Sequence, residues 1–168
     1  MSGFKIVSEE ELRPVLTKLA GIQWPIRFEE MTRLLGELGW VFEGRMVGRT
    51  RFDISLPHFS LGDLAGELSR IEFAISDMVS DDDQDGLQAV QVAYRQASQM
   101  VSSCLGFGVT GEMWASQGVV WDLPGGGRIN LPNLEIVLEA QVWSKRLADV
   151  DRTLVRQGIR PGHDDGPW

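Results

Sequence analysis

The sequence predicts a single α+β domain, an antiparallel β-sheet with helices packed on one face, and three observations carry that prediction. First, Leu134, Ile136, Leu138, Ala140 and Val142 alternate with Glu135, Glu139 and Gln141. This is the pattern of a strand buried on one side and wet on the other, with Val137 and Trp143 as apolar exceptions. Second, Val119, Val120 and Trp121 precede Pro124-Gly125-Gly126-Gly127, a turn that folds one strand back onto the alternating one. Third, apolar residues recur at helical spacing in four stretches, giving two N-terminal helices, one long middle helix and one C-terminal helix. A chain of 168 residues fits one domain, assigned to 1–158, and hides roughly 70% of its unfolded surface.

Ser8-Glu9-Glu10-Glu11 reads as a capping box. The helix it opens carries Leu12, Val15, Leu16 and Leu19 on one stripe and stops at Gly21. Pro14 lies beyond the first turn, so a kink or a later start is expected. Trp24-Pro25 is an extended link, followed by a second helix with Phe28, Met31, Leu34, Leu35 and Leu38 inward and Gly39 as its left-handed cap. Short extended runs follow at Trp40–Phe42, Met46–Val47 and Arg51–Leu56, with Gly44 and Gly48 at turns. His58 to Gly66 reads as a loop or a short helical turn, and Leu68 to Val79 as a strand with Ile71, Phe73 and Ile75 on one side. Leu87, Val90, Tyr94, Ala97, Val101 and Cys104 form the stripe of the long helix, which is broken at Gly106–Gly111. After the hairpin, Ser144 caps the last helix, with Leu147, Val150 and Leu154 inward and Gly158 as its stop. The residues 159–168 are expected to form a flexible tail.

Composition excludes several classes. Hydrophobic residues at 43% and charged residues at 24% are ordinary for a globular chain. No apolar run approaches the roughly 20 residues that cross a bilayer. Met1 to Arg13 lacks the basic-then-apolar layout of a secretory signal, so a cytoplasmic location is expected. One cysteine, Cys104, excludes an intramolecular disulfide and reads as a small buried thiol. A net charge of −8 argues against nucleic acid and favours a basic protein partner. The oligomeric state is left open.

Candidate chemistry is thin. Asp81, Asp83, Asp85 and Gly86 match positions 1, 3, 5 and 6 of a calcium loop, but Val92 stands where the bidentate glutamate belongs. These carboxylates, with Asp82, are read as charges at a helix N-terminus or as a docking surface for a basic partner. The glycines 125–127 join two strands and carry no lysine, which makes them a hairpin turn and not a phosphate cradle. His58 falls in the predicted loop and His163 in the tail, and neither has a metal-ligand spacing. Asp53 with Glu72, or Glu135 with Glu139, would do acid–base work only if the strands bring them together. Trp114, beside Glu112 in a predicted loop, is the best candidate for an exposed anchor at a partner interface. No catalytic residue, metal site or cofactor is assigned.

Leu34-Leu35-Gly36-Glu37-Leu38-Gly39-Trp40, Ile75-Ser76-Asp77-Met78-Val79 and Trp121-Asp122-Leu123-Pro124-Gly125-Gly126 together resemble a family of small uncharacterised actinobacterial proteins. The resemblance spans roughly residues 10 to 155 and transfers no catalytic residue. It implies an immunity protein of a polymorphic toxin system, including those whose toxins leave by type VII secretion. The expectation is therefore a non-enzymatic protein that neutralises a cognate toxin through Asp81, Asp82, Asp83, Asp85, Glu112 and Trp114. A chaperone or adaptor for a secreted substrate is the alternative.

Overall fold

The computed structural model describes residues 3–114 and 116–159. Ser8 opens α1 (Glu9–Ala20) as its spacing predicts: its Oγ accepts from the Glu11 N–H at 3.1 Å, and the Glu11 carboxylate accepts from the Ser8 N–H at 3.0 Å. Pro14 stays inside this helix, on its exposed side, so the Glu10 carbonyl it leaves without an N–H partner belongs to an exposed residue. α2 (Phe28–Glu37) buries Phe28, Met31 and Leu35, and Gly39 takes φ +80° just beyond it.

A first meander follows: β1 (Val41–Phe42), β2 (Val47–Arg49), β3 (His58–Leu64) and β4 (Glu67–Ala74). α3 (Gln84–Leu105) then leads to a second, made of β5 (Gly111–Glu112), β6 (Gly118–Asp122), β7 (Arg128–Pro132) and β8 (Glu139–Trp143). The chain ends its described part with α4 (Lys145–Arg156), whose cap Ser144 accepts from the Leu147 N–H at 3.1 Å. Among the described residues the eight strands form one antiparallel sheet in the order β1-β2-β3-β4-β8-β7-β6-β5. The last strands of the two meanders, β4 and β8, form its central seam. The fold is thus the expected α+β arrangement, with its four helices in the expected order.

Register fixes what each face carries. Leu61, Ile71, Val142, Ile129 and Trp121 pair in one cross-strand row, and Phe59, Phe73 and Ala140 in the next. All of these belong to one core with the buried residues of α1, α2 and α3. The Trp121 indole N–H donates to Ser102 Oγ of α3 at 3.1 Å, and Trp40 packs against Phe52, Phe59 and Phe73.

Five local readings are corrected. The span 58–64 is a strand, not a loop: His58, Ser60 and Gly62 alternate with buried Phe59 and Leu61, and Ala65 and Gly66 at φ 54° and 81° close a tight hairpin to β4. Conversely, 51–56 is a loop, because the Thr50 N–H donates to the Pro57 carbonyl and the intervening backbone has no strand partner. Gly48 lies within β2 and not at a turn, since a Cβ there would sit 2.2 Å from the Val41 carbonyl oxygen and 2.7 Å from the Phe59 ring. The long alternating segment is split: pairing lapses from Asn133 to Leu138 and Leu134 is exposed, while the alternation survives in β8. In α4 the buried residue is Ala148, and Val150 points to solvent. The predicted tail, beyond Ile159, lies outside the described residues.

Candidate functional site

The opposite face of the sheet is the candidate site. One row there runs Val47, Ser60, Glu72, Gln141, Asn130 and Val120 across six strands. A neighbouring row carries Gly62, Arg70, Trp143, Arg128 and Asp122. At the β6–β7 end this face is closed: Arg128, Asn130 and Val120 are buried, and Arg128 donates to Asp151 of α4 at 2.6 Å. From β1 to β8 it is open, with Val41 62% and Val47 49% exposed and Ser60, Glu72, Gln141 and Trp143 half-buried.

In the open part, His58 of β3 reaches over Ala74 of β4 to bring Nε2 within 3.7 Å of Glu139 Oε2 on β8. The methyl of Ala74 is too short to block that approach. Arg70 stands 3.5 Å from Glu72 on the same strand. Burial pushes the Glu139 carboxyl above its ordinary value, the nearby His58 opposes this, and the Glu72 charge adds to it. Glu139 is therefore matched with Glu72, not with Glu135. Asp53 faces elsewhere, accepting from Lys5 Nζ at 3.3 Å. The His58–Glu139 contact is not legible in the sequence because the span holding His58 reads as a loop and Glu139 lies across the β4–β8 seam. The alternation from His58 to Gly62 was the available signal.

The residues expected to bind a partner do not form one patch. Asp81, Asp82, Asp83 and Asp85 are all exposed at the start of α3. Asp83 is its N-cap, accepting from the Gly86 N–H at 3.0 Å, and Asp82 accepts from Ser80 Oγ at 2.6 Å. Glu112 lies exposed on edge strand β5, where its charge adds to burial in raising the Tyr94 phenol. Tyr94 stands eleven residues after Asp83, about 16 Å along the helix. Trp114 is half-buried rather than exposed, its indole N–H donating to the Ile159 carbonyl beyond α4. Cys104 is half-buried, and burial raises its thiol, so it stays a poor nucleophile.

α4 adds a second feature. Arg128 donates to Asp122 and Asp151, and Arg152 to Asp122 and Asp149. Burial raises the Asp122 carboxyl, but the hydrogen bonds from Arg152 and Arg128 outweigh it and hold the group below its ordinary 3.8. On its other side α4 leaves a slot of about 570 Å³, walled by Trp24, Pro25, Leu64, Leu68, Val150 and Leu154. Lys145 and Arg146 lie at its rim with Asp149 and Glu67.

A family described as a family of unknown function, DUF6301, matches residues 10–144. The chain belongs to it. The DUF6301 match runs from the second residue of α1 to the N-cap of α4, so it takes in the whole sheet and the His58–Glu139 contact, while α4 lies beyond it. No curated protein and no solved structure matches the chain.

Proposed function

We propose that this DUF6301 protein is a non-enzymatic immunity protein that binds a cognate secreted toxin domain in the cytoplasm and neutralises it. The observation that carries the reading is the open sheet face. Glu72 and Glu139 at its centre, solvent-exposed Val41 and Val47 toward its β1–β2 edge and half-buried Trp143 at the seam give it both charged and apolar contact groups. The net charge of −8 favours a basic partner, and Asp81, Asp82 and Asp85 add long-range attraction to the encounter. The resemblance to immunity proteins points the same way.

The test is co-expression with the C-terminal domain of the secreted protein encoded next to this chain. Growth should be restored by the wild-type chain and lost again when Val47 and Glu72 are both replaced by lysine. Equal killing with and without the wild-type chain overturns the reading.

The slot beside α4 favours a second reading, a chaperone or adaptor, because its apolar walls suit side chains of an escorted segment. A chaperone leaves toxicity intact and binds the secretion or folding segment instead. The same experiment separates the two.

A further inference from the structure

The centre of the open face holds two carboxylates whose hydrogen bonds are incompletely made. Glu72 and Glu139 are only 24% and 21% exposed in their side chains, yet the Arg70 and His58 nitrogens beside them stand at 3.5 and 3.7 Å, beyond the usual 2.7–3.2 Å of a hydrogen bond. Opposite Glu72 and two residues along β8 from Glu139, Gln141 Oε1 accepts a long 3.4 Å hydrogen bond from Asn130 Nδ2. Asn130 is fully buried with its amide nitrogen turned toward Gln141, and its own Oδ1 has no donor among the described residues. The row from β4 through β8 to β7 is therefore a strip of acceptors, partly removed from water and incompletely satisfied.

We propose that this strip, Glu72, Glu139 and Gln141, receives an arginine side chain of the protein partner. This rests on the reading of the face as a docking surface and adds the chemistry of what docks there. A guanidinium offers five donors and no acceptor in a planar fork, which suits a strip whose two carboxylates only accept. Glu72 lies on β4 and Gln141 directly opposite on β8, so a planar fork with several donors meets acceptors from both strands at once. The partial burial of both carboxylates strengthens such contacts relative to the exposed Asp81–Asp85 turn. Exposed Val47, in the same row as Glu72, offers an apolar contact for the partner residues flanking the arginine.

The probes are tri-arginine amide and tri-lysine amide, titrated into the full chain at neutral pH and low salt and followed by two-dimensional NMR. Tri-arginine should shift resonances of β4 and β8, including the His58 ring, and bind about 5-fold tighter than tri-lysine. The double variant Glu72→Gln, Glu139→Gln should weaken tri-arginine by about 10-fold, since charged hydrogen bonds are lost without loss of shape. The variant Asp81→Asn, Asp82→Asn, Asp85→Asn should lower both peptides equally. The proposal is overturned if neither peptide binds, if the shifts stay on the Asp81–Asp85 turn, if the two peptides bind alike, or if the glutamine pair binds as wild type. A chain that protects cells from the toxin while failing this titration keeps the immunity reading and loses the strip. Tri-arginine binding on the strip without protection does the reverse.

Discussion

Asp151 of α4 accepts a 2.6 Å hydrogen bond from Arg128 of β7, and the two side chains are only 13% and 9% exposed. A guanidinium buried to that degree is stabilised only while its hydrogen-bond partners remain. Asp151→Asn should destabilise the protein by about 2 kcal/mol in urea denaturation, the lower end of the range because Asp122 still holds Arg128. Replacing Arg128 by methionine together with Asp151 by leucine should cost less than the single change. The reverse ranking would contradict the account that an unpartnered buried guanidinium is the cost of the single change.

Asp83 and Asp81 separate capping from surface charge. Asp83→Ala removes the acceptor for the Gly86 N–H and should lower stability by about 1 kcal/mol. Asp81→Ala should stay within about 0.5 kcal/mol of wild type. Thermal melts of the two variants check this, and equal losses would remove the capping role.

Glu139 gives a pH signature. Its folded carboxyl lies above the ordinary 4.5, so the native state holds this proton more tightly than the unfolded chain does. Its support for folding is complete below 4.5 and is lost as pH rises through the raised value. Glu139→Gln should therefore be more stable than wild type at about pH 7.5, with the difference disappearing near pH 4. Urea midpoints at the two pH values measure it, and a difference that does not change with pH contradicts the assignment.

Gly48 has no room for a side chain. Gly48→Ala would drive a methyl into the Val41 carbonyl and the Phe59 ring and should cost about 2–3 kcal/mol by overpacking. Gly44→Ala, in the neighbouring turn, meets only a Val47 methyl at 3.2 Å and should be far milder. Denaturation midpoints that ranked the two in the other order would refute the account.

Local signals in the sequence were read well where the structure they specify is local. The capping box at Ser8, the stripes of α1 and α2, the Gly106 stop and the hairpin at Gly125–Gly127 each depend on residues within a few positions of one another. Phe52 and Ile54 misled because a buried loop can alternate like a strand: both enter the core, yet the backbone between Thr50 and Pro57 closes on itself. The candidate site was the least legible part. Glu72 and Glu139 are neighbours only through the β4–β8 register, a pairing that no short window of sequence contains. Trp114 reads as an exposed anchor from its glycine-rich surroundings, but its indole N–H is engaged by the Ile159 carbonyl, far along the chain.

The seam between β4 and β8 also bears on the order of assembly. Each meander closes through short connections, but their junction pairs Ile71 with Val142 and Phe73 with Ala140, residues brought together only after α3 has been laid between the halves. Closing so large a loop is slow relative to forming either half. His58 and Glu72 come from the first half, Glu139 and Gln141 from the second. The acceptor strip exists only when the two halves are joined, and a ligand held across it stabilises the joined state over the parted halves.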